Sequence, residues 1–161
     1  MLSAFLKKLL FARQLFMTDG RIEILGKNQI MLPSDIVVAF QSLNEQGYYR
    51  LVKNGIHSNL AAYAKKVGAT NEGMMKVTED IFETFGMGKP EIAVLDQKKK
   101  SAVVRFRNPP VAEACAENKF KDCVLLPAAL AGMFSFLFNK DVNVDVTKCN
   151  IKGSVCEYVV K

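Results

Sequence analysis

At 161 residues the chain has the length of one domain and can bury a sizeable core. Half of its residues are hydrophobic and 24% are charged, a globular balance that excludes a disordered or fibrous chain. The net charge of +6 is not gathered into a basic tail, so direct nucleic-acid binding is not expected, and no apolar run is long enough to cross a membrane.

The chain opens on an apolar stretch, Met1 to Met17, interrupted by Lys7, Lys8 and Arg13. It lacks the unbroken apolar run and small-residue cleavage site of an export signal. Leu2, Phe5, Leu6, Leu9 and Phe16 instead share one face at helical spacing, which predicts an amphipathic helix. Such a stripe is hard to cover from within a small domain, and a homodimer is the expected remedy.

Alternation over Gly20 to Leu25 predicts a strand, Gly26-Lys27-Asn28 a turn, and Gln29 to Leu32 a second strand. Pro33-Ser34-Asp35 opens a helix that runs to about Gln46, with Gly47 as its stop. Tyr49, Val52, Ile56, Leu60, Tyr63 and Val67 keep one apolar face on the next helix. Thr70 or Asn71 caps another, which turns Met74, Ile81, Phe82 and Phe85 inward. Gly86 to Pro90 is a break.

The second half reads differently. Glu91 to Leu95 and Ser101 to Phe106 are strand-like, joined by the polar loop Asp96 to Lys100. Asn108-Pro109-Pro110 starts a short helix, and Asp122 a longer one reaching Phe138. Val142, Val144 and Val146 alternate as a strand, Asn150 to Gly153 turn, and Val155 to Val160 close a hairpin. The order predicts a single α+β domain, an antiparallel sheet with helices on one face. Residues 1–86 are its mainly helical part, and residues 88–160 a core that carries the cysteines.

Those cysteines are Cys115, Cys123, Cys149 and Cys156. Their clustering, without an export signal, points to a reducing cytoplasm and to metal or redox chemistry rather than a secreted disulfide scaffold. In a hairpin with a four-residue loop, Cys149 pairs with Ser154 and Thr147 with Cys156. Cys149 and Cys156 are then diagonal neighbours roughly 7 Å apart. That separation suits two thiolates sharing a zinc at about 2.3 Å each. Cys123, at a helix start, gains thiolate character. Cys115 and Asp145 both stand as fourth ligand, and softness favours Cys115. Two other readings compete: small buried apolar side chains, and a Cys149–Cys156 disulfide.

The stretch "DCVLLPAALAGMFSFLFNKDVNVDVTKCNIKGSVCEYVV", Asp122 to Val160, resembles the C-terminal core of 4-vinyl reductase domains. The features carrying the resemblance are Cys123, an apolar helix with Gly132 at its centre, Cys149, Gly153, and Cys156 before Tyr158. The resemblance implies a fold shared with phenol-sensing, haem nitric-oxide-binding and vesicle-tethering domains, and a pocket for a small apolar or aromatic molecule. It also implies a structural zinc on Cys123, Cys149 and Cys156. The acid that those relatives carry three residues before the middle cysteine is here Val146.

No dinucleotide fingerprint, Ser/His/Asp set or open histidine metal centre is present, so no catalytic residue is assigned. The expectation is a non-catalytic ligand-binding or sensor domain. The alternative is a reductase or accessory protein acting on a tetrapyrrole vinyl group. His57 reads as an ordinary boundary residue.

Overall fold

The computed structural model describes residues 4–67, 71–107, 109–120, 122–150 and 155–161. The chain divides into two compact units, residues 1–33 and 34–161.

In the first unit, helix α1 (Ala4–Phe11) precedes a three-stranded antiparallel sheet, β1 (Leu15–Thr18), β2 (Arg21–Ile24) and β3 (Lys27–Gln29). The helix is shorter than the periodicity predicts. Arg13 takes a left-handed φ of 52°, which ends it, and Phe16 falls on a strand instead of the helical stripe. Both hairpin turns have two residues at positive φ, Asp19-Gly20 (50° and 73°) and Leu25-Gly26 (55° and 77°). This is the turn whose twist matches that of the flanking strands. The second turn comes earlier in the chain than Gly26-Lys27-Asn28, so β3 begins at Lys27.

The second unit begins with α2 (Ser34–Ala39), extended by a 3₁₀ turn at Phe40–Ser42, and continues with α3 (Glu45–Val67) and α4 (Asn71–Thr84). Gly47 does not stop a helix. The Asn44 side chain accepts the Gly47 N–H at 2.8 Å and caps α3, placing the glycine in its first turn. Then follow β4 (Lys89–Asp96), β5 (Ser101–Arg107), α5 (Pro110–Glu117), α6 (Leu125–Phe138), β6 (Val144–Asn150) and β7 (Val155–Val160). The four strands form an antiparallel sheet in the order β4-β5-β7-β6, and the fold is α+β as expected.

Side chains alternate across this sheet with the strand period of two. Ala102, Val104, Phe106, Cys156, Tyr158 and Val160 are buried. On the opposite face, Arg105 pairs with Glu157 and Arg107 with Glu91, each at 2.8 Å. Helix α6 is apolar on nearly every side, and 12 of its residues are buried. It is enclosed because α3 comes very close at Gly132, where a Cβ would sit 2.4 Å from the Lys53 carbonyl oxygen. Only a residue without a side chain lets the two backbones meet there. Met74, Phe82, Met133, Phe134 and Phe138 are also buried, and Phe106 stacks between Phe82 and Tyr158 with ring centroids 5.5 and 5.8 Å away. Phe85, expected inward, is 40% exposed.

The β6–β7 hairpin carries a bulge. Val146 faces Tyr158, the next pair is Lys148 with Glu157, and Thr147 is the extra residue. Cys149 and Cys156 are therefore direct cross-strand partners, not diagonal neighbours. Among the described residues no helix is long and apolar enough to cross a membrane.

Candidate functional site

Three elements bring the four cysteines to one place. Cys115 is buried on the inner face of α5, with Val111, Ala112 and Ala114. Cys123 lies in the segment that enters α6. Cys149 and Cys156 sit opposite one another near the end of the β6–β7 hairpin, Cys149 exposed and Cys156 fully buried. Cys115, Cys123, Cys149, Asp122, Val146 and Tyr158 all line one cavity of about 60 Å³.

The thiols associate in pairs. The Cys115 S–H bonds to Cys123, which with burial pushes the Cys115 pKa well up. The same bond holds the Cys123 pKa below its ordinary value, helped by the backbone N–H groups of Leu126 and Leu125 at the start of α6. Burial and then the hydrogen bond with Cys149 push Cys156 up to about 12. The Tyr158 hydroxyl donates to Cys156; its own pKa is raised by burial first and by the neighbouring thiols next. Among the described residues no group of three or more His, Cys, Asp or Glu side chains is arranged to hold a metal ion. Cys115, Cys123 and Cys149 line the cavity, and Cys156 stands behind Cys149 as its cross-strand partner.

Asp145 leaves the set of fourth ligands. Simple alternation puts it on the Cys149 face, but the Thr147 bulge changes the parity between them. Asp145 faces the other side and binds Lys161 at 2.5 Å. Val146, in contrast, reaches the cavity that Cys115 lines.

Gln41 is a positioning residue that patterning did not reveal. It lies in the 3₁₀ turn, is 6% exposed, and clamps the backbone on both sides of Cys123. Its Nε2 donates to the Asp122 carbonyl at 2.9 Å, and the Val124 N–H donates to its Oε1 at 3.1 Å. The sequence carries no signal for it, because the burial of its amide and both of its partners are set by the fold. Asp122, expected to cap α6, makes its contact through its carbonyl; no side-chain bond caps this helix.

Beside the cavity runs an open groove of about 510 Å³ between the first turns of α3 and α6 and the edge strand β6. Tyr49, Val124, Pro127, Val144 and Val146 give it apolar walls; Glu45, Arg50 and Asp122 stand among them. Cys123, Asp122 and Val146 belong to both spaces. A second hollow of about 330 Å³ is polar and includes Lys53 and His57. Lys53 is already engaged there, by Asp141 and by the Val142 carbonyl, both at 2.7 Å. His57 is exposed and meets the edge of Phe136 at 6.2 Å.

No family model matches the chain, and no curated protein is similar to it. Solved structures share its fold. The phenol-responsive sensory domain of the transcription activator PoxR, crystallised with phenol, superposes with a TM-score of 0.73 at 17% identity, over 99% of this chain and 90% of that one. A vinyl-4-reductase family protein from Methanocaldococcus jannaschii gives 0.51 at 18% identity, over 83% of each chain. A trafficking protein particle complex subunit 3 from Naegleria fowleri, covalently bound to palmitic acid, gives 0.52 at 11% identity, over 80% of this chain and 93% of that one. The chain thus has the fold of the 4-vinyl reductase-like proteins that its C-terminal motif resembles.

The clamp around Cys123 is testable. Replacing Gln41 by leucine keeps the volume and removes both hydrogen bonds, leaving the buried Val124 N–H without a partner. The expected cost is about 1–3 kcal/mol in urea unfolding. A loss below about 0.5 kcal/mol, within the range of a neutral surface change, would show that the clamp does not hold this segment.

Proposed function

We propose that the chain is a non-catalytic binding domain, a sensor or carrier, for a small uncharged aromatic or apolar molecule. The observation that carries this reading is the superposition along nearly the whole chain with a domain crystallised with phenol. The open groove is the proposed site, because its size falls in the range of small-molecule pockets. The space between α4 and α6 is filled by Met74, Phe82, Met133 and Phe134. A thermal-shift comparison of phenol and other small aromatics with fatty acids and nucleotides tests the reading. At a hundred times its dissociation constant a ligand adds about 2.7 kcal/mol, so aromatics are expected to raise Tm clearly. Stabilisation by nucleotides and not by aromatics would sink the proposal.

A structural zinc on Cys115, Cys123, Cys149 and Cys156 belongs to the same reading. Its support is the cavity that Cys115, Cys123 and Cys149 line, with Cys156 directly opposite Cys149, and the donor chemistry: where the resemblance implies an acid this chain has Val146, and a thiol from α5 lines the same cavity. Zinc bound by four thiolates has no open position, so its role would be to tie α5, the start of α6 and the hairpin together. Elemental analysis of protein purified without chelator is expected to give one zinc per chain. Cys115→Ser should lower zinc content and Tm together; full zinc content in that variant would exclude Cys115.

The third component is a homodimer formed through residues 1–33. In that unit Leu9, Leu15 and Ile24 are buried, while Phe11, Met17, Ile30 and Met31 are 66–90% exposed. Units below about 40 residues seldom fold without further support, and a second copy supplies it symmetrically. Mass in solution should fall from two chains to one when residues 1–33 are deleted. A dimeric truncated protein would place the interface elsewhere.

A further inference from the structure

The Thr147 bulge places Cys149 directly opposite Cys156 in antiparallel register. Directly opposed residues in such a ladder have Cα atoms about 4.5 or 5.5 Å apart, depending on the pair type. Both separations lie within the range of about 4.4–6.8 Å that a disulfide spans without backbone movement. The hairpin is already in place around the pair, since Asn150 faces Val155 on one side and Lys148 faces Glu157 on the other. Their accessibility is unequal: Cys149 is exposed and Cys156 has no exposed surface. A soluble oxidant meets the first, and the second waits beside it. The other thiol pair lacks this arrangement, because Cys115 is buried on α5, Cys123 is half-buried, and no ladder fixes their separation.

We infer that Cys149 and Cys156 form a reversible disulfide, a peroxide-sensitive modification site built on the cross-strand pair. The inference rests on the clustering of the cysteines proposed above as metal ligands, but the disulfide itself requires no metal. The Cys149 sulfur attacks one oxygen of hydrogen peroxide. The O–O bond breaks, Cys149 becomes a sulfenic acid, and one water leaves. The Cys156 sulfur then attacks the sulfenic sulfur; the S–S bond forms, the S–O bond breaks, and the hydroxyl leaves with the Cys156 proton as a second water. Two thiols are oxidised by two electrons and one peroxide is reduced to two waters. A dithiol reductant reverses the change. Oxidation would take two of the four thiols proposed above as zinc ligands, and a zinc held by them would lose half of its donors.

The test uses the full chain in two forms, as purified and after metal removal by a chelator. A few equivalents of hydrogen peroxide are added under non-denaturing conditions. Free thiols should fall from four to two per chain, non-reducing peptide maps should join Cys149 to Cys156, and dithiothreitol should restore all four. Cys149→Ser should lose the cross-link, and Cys123→Ser should keep it. In protein that carries zinc, a chromophoric chelator should report metal release in step with disulfide formation. Protein that holds no zinc as purified without chelator and still forms the bridge overturns the zinc reading and leaves this inference standing. Four unchanged thiols, a cross-link joining Cys115 to Cys123 alone, or sulfinic acid at Cys149 with Cys156 still a thiol would overturn the inference.

Discussion

Helix α6 is a segment of 14 residues that is apolar almost all round, and water must be kept from every side of it. The sheet covers one side. The other needs a helix at close range, and α3 provides it because Gly132 offers no side chain to hold the two backbones apart. Once α3 is fixed, its first turn stands beside the start of α6, and the groove lies between those two ends and β6. The segment entering α6, which carries Cys123, is positioned by the same packing and by the Gln41 clamp. The core packing, the groove and the cysteine cavity therefore all depend on one helix being enclosed.

The two spaces share a wall. Cys123, Asp122 and Val146 face the open groove on one side and the small cavity on the other. A change in either space reaches the other through few atoms. The groove and the thiols are thus joined by a short physical link. The link is built from a segment clamped by Gln41 and a β-bulge, both of which are specific local structures and not general packing.

Much of the fold was legible from pattern because burial imposes a period. The alternation of Val155 to Val160 and of Ser101 to Phe106, and the uniform apolarity of α6, predicted the elements observed. Features without a period were not legible. Asp19-Gly20 and Leu25-Gly26 turn the chain through backbone conformation, and a helical stripe laid over residues 2–16 hid the strand β1 that leads into the first of them. Gly47 looked like a stop because the capping side chain of Asn44 was not weighed against it. One extra residue at Thr147 altered more than any of these. It set Cys149 against Cys156 and turned Asp145 to the far face of the sheet. A bulge is invisible to a strict period of two, and everything beyond it on the strand is displaced in parity.

Strand β7 lies between β5 and β6, although both precede it in the chain. Until β7 is made, the β4–β5 hairpin and β6 have no common neighbour, and the sheet exists only as separate pieces. The apolar surface of α6 that rests on the sheet is meanwhile without its cover. Pairing of β5 with β7 joins residues about fifty positions apart, a loop closure that slows folding and keeps apolar surface in water for longer. The face of α6 that waits for β7 is therefore the surface most open to wrong partners while the chain folds.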